Sequence, residues 1–226
     1  MSYRTLPVSA LRRLAESSVG TMPDREAQFT LGQRYARGIG VQKNEAEAAK
    51  WFLKAADAEH ERAQRYLAFA YLHGRGVERN VSEGIRRLRI AAEWGDAPSQ
   101  RQLGFHYATG NGIARDETKG MHWFLQAANQ GNYLAQYNLA VAYANGSGVE
   151  KEPTVAFHWY ELAATQGMPE AQCALALAYE HGIGVTLDYA KSAYWIRLAA
   201  DKNYAEACSN LGWLYENGLG VEQDLE

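Results

Sequence analysis

A four-residue pattern, Gly-x-Gly followed by Val or Ile, begins at Gly38, Gly74, Gly110, Gly146, Gly182 and Gly218, always 36 residues after the previous copy. A fixed period of this length restricts a chain to a repeat array, in which each unit touches only its neighbours and no closed centre forms. The period extends beyond the glycines. Upstream of each pattern runs a small-plus-polar pair: Ala27-Gln28, Ala63-Gln64, Ser99-Gln100, Ala135-Gln136, Ala171-Gln172 and, loosely, Ala207-Cys208-Ser209-Asn210. Leu31, Leu67, Leu103, Leu139, Leu175 and Leu211 follow in phase, and Tyr35, Tyr71, Tyr107, Tyr143, Tyr179 and Tyr215 complete the first half of every unit.

Within a unit the spacing predicts two helices. Ala27, Leu31, Gly32 and Tyr35 recur at the intervals of a 3.6-residue stripe. Gly38 can close that helix in the left-handed conformation, and Gly40 allows the turn that follows. Three residues after the turn's apolar plug, Val41, comes an N-cap: Asn44, Asn80, Asp116, Asp188 and Asp224, with Glu152-Pro153 in the fourth unit. Asn44 with Glu47 and Asn80 with Glu83 also have capping-box spacing. The second helix carries Ala48, Trp51-Phe52 and Ala55-Ala56, and the same pattern returns as Trp123-Phe124, Trp159-Tyr160 and Trp195-Ile196 before paired alanines. Paired alanines permit close helix approach and the aromatic residues fill the space beside them. The second unit has Arg87-Leu88 instead, which predicts looser packing there. Gly95, Gly131 and Gly167 end three of the second helices; Asn203 tolerates the same left-handed conformation, whereas Glu59 is expected to end its helix in another way.

The expected organisation is an N-terminal capping helix within residues 1–23, then a solenoid over 24–226 of five full repeats and a sixth half-repeat. With no second helix after Asp224, the chain reads as part of a longer protein. No apolar run approaches the roughly 18 residues of a membrane span, and Met1 to Gly20 lacks a signal-peptide pattern, so a cytoplasmic location is expected. Cys173 and Cys208 make no disulfide framework. Charge is skewed: residues 1–113 hold 17 Lys/Arg and 12 Asp/Glu, a balance of +5, and residues 114–226 hold 6 and 14, a balance of −8. Such a field can orient a partner, although a solvated surface explains it equally.

The pattern Ala-x-x-x-Leu-Gly-x-x-Tyr-x-x-Gly-x-Gly-Val, then Asn or Asp, then Ala-x-x-Trp-(Tyr/Phe)-x-x-Ala-Ala resembles the Sel-1-like repeat family, relatives of tetratricopeptide repeats, and covers Ala27 to Val221. The resemblance implies an all-α, right-handed α/α superhelical solenoid of 36-residue helix-loop-helix repeats, common in bacteria, that serves as a protein-protein adaptor. A cysteine-rich branch is connected with β-lactam or peptidoglycan-like ligands; the intra-repeat cysteine pairs are missing here, so that activity is not carried over.

Little else in the sequence suggests chemistry. The glycine pattern follows a helix rather than a strand and lacks Lys-Ser/Thr, so it is a turn and not a phosphate loop. There is no metal-ligand spacing, no serine elbow and no acid-base pair, so no catalytic residue, metal or cofactor is expected. Arg86-Arg87-x-Arg89 falls short of a nucleic-acid footprint and reads as a solvated helix face. What varies between units is the second face of the first helix. There Phe69, Phe105, Val141, Leu177 and Trp213 form an apolar stripe, with Arg62, Arg65 and Arg101 at one end and Glu170 and Glu206 at the other; Phe29, Tyr137 and Trp213 are the side chains most expected to be exposed. This is the expected partner-binding set, stacked along the inner, concave wall of the solenoid as a groove for a protein segment with an apolar strip, an acidic end and a basic end. Packing against the next helix explains the stripe equally well. An inhibitory or immunity-type protein with one tight partner, and a binder or hydrolase of a cell-wall-like small molecule, remain as alternatives.

Overall fold

In a computed structural model, residues 3, 5–17 and 23–221 are described, and they form twelve α-helices. A lone helix, α1 (Val8–Glu16), precedes the pairs α2 (Arg25–Arg37) and α3 (Glu45–Asp57), α4 (Glu61–His73) and α5 (Val81–Glu93), and α6 (Ala97–Thr109) and α7 (Glu117–Asn129). The pairs α8 (Tyr133–Asn145) and α9 (Pro153–Thr165), then α10 (Pro169–His181) and α11 (Tyr189–Ala200), come next, and α12 (Ala205–Asn217) ends the series. The all-α, helix-loop-helix class expected from the period is the one observed. The chain forms two compact units, residues 1–106 with 110–114 and residues 107–109 with 115–226.

Each turn between paired helices has the conformation its glycines allow. Gly38 and Gly40 have φ of +75° and +70°, and a Cβ on the equivalent Gly76 would lie 2.0 Å from the Glu45 carbonyl oxygen. Substitution there meets both the left-handed region and a steric wall. Of the expected N-caps, Asn44, Asn80 and Asp188 each accept from the backbone N–H three residues on at 3.0 Å and Asp116 does so at 2.9 Å, whereas Glu152 precedes Pro153 without a side-chain cap bond and Asp224 lies outside the described residues. The reciprocal half of the capping box does not form. The N–H groups of Asn44 and Asn80 go instead to the carbonyls of Tyr35 and Tyr71, both at 2.9 Å, and Asp116, Glu152 and Asp188 repeat the bond to Tyr107, Tyr143 and Tyr179. Glu47 and Glu83 are thereby released to pair with Lys50 and with Arg86 and Arg87.

The short joint from a second helix to the next first helix is closed by the glutamines. Gln64 and Gln100 donate to the carbonyls of Ala56 and Ala92 at 3.0 Å, and Gln136 and Gln172 to those of Ala128 and Ala164 at 3.2 Å. Gln28 makes the same bond to Ala15 of α1 at 3.1 Å. These amides are buried and meet carbonyls that a helix C-terminus leaves without an intrahelical partner. At the first joint Glu59 is left-handed, φ +59°, which corrects the expectation that it ends its helix differently. The reason is the ring closed by His60 N–H on the Ala55 carbonyl (2.9 Å) and Glu59 N–H on Ala56 (3.1 Å), which requires this conformation whatever the side chain.

In the first unit Leu11, Leu31 and Leu67 are fully buried with Trp51 and Phe52. In the second unit Leu175 is buried beside Ala163 and Met168, and Ile196 and Leu214 beside Ala199. The second repeat is not loosely packed. Leu72 fills the space and presses on Gly84, where a Cβ would lie 2.7 Å from it, and Leu88 is fully buried.

Candidate partner-binding site

In the first unit Phe29 is buried, 1% exposed, which corrects its expected exposure. It stacks on His60 (4.4 Å between ring centres), meets Phe52 and Tyr66 at 5.8 and 5.3 Å, and is covered by Arg62, 4.8 Å above its ring. A large ring at this phase finds an aromatic bed because Phe52 and His60 of the first repeat and Tyr66 of the second converge on it. Arg65 is also engaged internally, bonding the buried Asp96 carboxylate at 2.7 Å. Asp96 caps α6 by accepting from Ser99 N–H at 3.0 Å, so Arg65 holds a helix start.

Phe69 and Phe105 are 38% and 47% exposed, one repeat apart on α4 and α6. Each lines a cleft between the helices of its joint. The cleft of Phe69, about 180 Å³, also includes Lys43, Glu45, Phe52, Tyr66 and Arg75, and Arg75 lies 5.1 Å over the Phe69 ring. The cleft of Phe105, about 460 Å³, includes Leu72, His73, Arg79, Arg101 and His106. His106 is held by the Asn111 carbonyl at 2.7 Å. Arg62 lines a separate basic cleft of about 260 Å³ with Arg34, Arg37 and Ile39.

In the second unit Leu177 is exposed and lines a cleft of about 300 Å³ with Lys151, Pro153, Phe157, Tyr160 and Ile183. Trp213 is 46% exposed on α12, as expected. Tyr137 is half-buried, with its ring 5.7 Å from that of Tyr160, so it is less exposed than expected. Burial first, and then Tyr137, push the Tyr160 hydroxyl up to about 12. Val141 and Glu170 are half-buried, and the side chain of Glu206 lies outside the described residues.

The basic run is not a solvated face throughout. Arg87 is mostly buried, bonds Glu83 at 2.7 Å and Gln64 at 3.3 Å, and lies 3.5 Å from Asp57. Hydrogen bonds from Arg86, and then Arg87, outweigh desolvation and hold the Glu83 carboxyl at about 2. The residues at loop phase, Lys43, Arg79 and Lys151, escaped the sequence reading because their side chains reach the next repeat. Their signal was visible as basic residues at one position of the period. Among the described residues, no group of three His, Cys, Asp or Glu is placed to hold a metal ion, and no helix is long and apolar enough to cross a membrane.

The Sel1 repeat matches residues 25–60, 61–96, 97–132, 134–168, 169–204 and 205–226. The chain belongs to the Sel1-repeat family. Its structure is similar to that of c5321, a protective antigen of uropathogenic Escherichia coli strains displaying an SLR fold, with 34% identity and a TM-score of 0.90 over 96% of this chain. The chain spans 45% of the length of that E. coli protein. A Sel1 repeat protein from Oxalobacter formigenes is 36% identical, with a TM-score of 0.82 over 89% of this chain and 82% of that one. The immunity protein Pa5087 from Pseudomonas aeruginosa shares the fold at 20% identity and a TM-score of 0.52, over 86% of this chain and 72% of that one. No curated protein matches the sequence.

Proposed function

We propose that this Sel1-repeat chain is a non-enzymatic interaction module that binds a segment of a partner protein through the exposed face of its first helices. The observation that carries this reading is the pair Phe69 and Phe105: two large aromatic side chains at one phase of the period, each exposed and each beside a cleft with basic side chains. Single exposed apolar residues are ordinary; a periodic set next to clefts is the form of an interaction surface. Sel1 repeats commonly mediate protein-protein contact, which agrees.

The test compares the native protein, immobilised in a lysate of its source organism, with a Phe69→Ala/Phe105→Ala variant of unchanged helicity. The expected result is a partner retained by the native protein and lost by the variant. Equal retention by both would place the contact elsewhere and overturn the assignment of this face.

A further inference from the structure

The cleft of Arg62, between α2 and α4, is polar where that of Phe69 is apolar. Gln33 stands there at the phase that carries Phe69 and Phe105 in the next two repeats. The phases of Arg34, Arg37 and Arg62 hold no arginine in any other repeat, so this joint alone gathers three guanidiniums, and none of the side chains lining the cleft is acidic. Arg34 is buried and engaged within the protein. Arg37 is exposed and Arg62 half-buried, and neither forms an ion pair among the described residues. Arg62 rests over the Phe29 ring at 4.8 Å, a contact that consumes none of its N–H donors, and Glu26, one turn before Thr30 on α2, is taken up by His60 at 3.0 Å. Two hydroxyls join the arginines. Thr30 is 5% exposed and makes no hydrogen bond among the described residues, and Tyr66, which accepts from the Gln33 amide at 3.3 Å, keeps its own proton for another acceptor.

We infer that the α2–α4 cleft holds the phosphate of a phosphorylated side chain on the partner segment, with Arg37 and Arg62 meeting its charge and Thr30 and Tyr66 donating to its oxygens. Every one of these four groups is a donor, and a cleft that offers donors without an acidic side chain favours an oxyanion. A phosphate monoester presents three acceptor oxygens and close to two charges, which matches two guanidiniums and two hydroxyls; a carboxylate presents two oxygens in one plane and a single charge. The half of the chain that holds the cleft carries the balance of +5, which draws such a group in. Tyr66 lines both this cleft and that of Phe69, so the two are continuous, and one segment can set a phosphorylated residue in the first and an apolar side chain in the second. That continuity favours a peptide over a free anion, which would use the arginines alone. The inference rests on the reading of this face as a partner-binding surface and adds the chemistry of one end of the segment.

Degenerate dodecapeptides with phosphoserine fixed at the centre, run beside the same library with serine or aspartate there, test it on the full chain. The native protein is compared with Arg37→Gln, with Arg37→Gln/Arg62→Gln and, as a control for net charge, with Arg13→Gln at an exposed site on α1, all checked for native helicity. The expected selection is from the phosphoserine library. In fluorescence anisotropy its best peptide should bind about tenfold or more weakly to the double variant and several-fold more weakly to Arg37→Gln, an exposed position whose loss leaves the fold intact, while Arg13→Gln changes little. Inorganic phosphate should compete only at a concentration far above that of the peptide. Competition by inorganic phosphate at the peptide's own concentration would assign the cleft to a free anion and overturn the peptide source. Equal selection of the serine or aspartate library, or no selection from any, would overturn the phosphate specificity, and equal losses in Arg37→Gln and Arg13→Gln would overturn the site. In each of these cases the reading of the face stands as long as Phe69→Ala/Phe105→Ala still loses its partner from the lysate.

Discussion

The first and second repeats close the same kind of joint with different chemistry. In the first, Phe29, Phe52, His60 and Tyr66 form an aromatic cluster, and Phe52 presses on Gly32, where a Cβ would lie 2.6 Å from the ring. In the second, the small residue moves to the other helix, Gly84 under Leu72, and the place of Trp51 is taken by Arg87, tied to Glu83, Asp57 and Gln64. The period therefore preserves filled volume and satisfied backbone ends, and allows the residue types to change.

The comparison predicts unequal responses. Phe52→Ala should have the largest effect, about 3–5 kcal/mol in denaturant unfolding, because it opens a cavity under Gly32 and strips two rings of a partner. A cost below about 1 kcal/mol would mean that the aromatic cluster does not hold the first joint. Arg87→Ala should cost about 1–3 kcal/mol, leaving the Gln64 amide oxygen and the Glu83 carboxylate short of donors. The penalty should shrink as salt rises, whereas that of Phe52→Ala should not; equal salt dependence would erase the distinction between the joints.

Acid should act on the second joint selectively. The folded Glu83 carboxyl is depressed from 4.5 to about 2, so its contribution is complete above about 4.5 and is lost as pH falls through the interval toward 2. An acid titration of stability with Glu83→Gln alongside should show a smaller loss over that interval in the variant; parallel curves would remove Glu83 as the source. The smallest effect is expected at Glu59, whose left-handed backbone is costly for a side chain with a Cβ. Glu59→Gly should raise stability by about 0.5–1 kcal/mol, read as a small upward shift in the unfolding midpoint, while Gly95→Glu at the same phase should lower it by a similar amount.

The helix pairs, their N-caps and their glycine turns were legible in the sequence because each is a local backbone requirement repeated at one period. The candidate face was legible in part. Phe69, Phe105, Leu177 and Trp213 were assigned to it and are exposed, whereas Phe29 and Arg65 were assigned to it and are used internally. The period places a residue on a helix face but does not say what lies one repeat away, and both residues are decided there: Phe29 by His60 and Tyr66, Arg65 by Asp96. Arg79 was missed for the same reason, since its cleft is completed by Arg101 and Phe105 of the next repeat.

The glutamine bonds across the short joints change where this protein can be taken apart. A second helix and the first helix that follows it share a buried amide-carbonyl bond, so replacing the glutamine by an apolar residue, or cutting between the two, removes the tie that closes the joint. The Gly-x-Gly loops carry a backbone tie instead, from the N–H of the next N-cap to the tyrosine carbonyl, and the division between the two compact units runs through the end of α6 and one of these loops, at residues 107–115. For anyone shortening, lengthening or shuffling the array, both the short joint and the glycine loop are bonded seams, and a cut at either has to keep the two partners of its bond on the same piece.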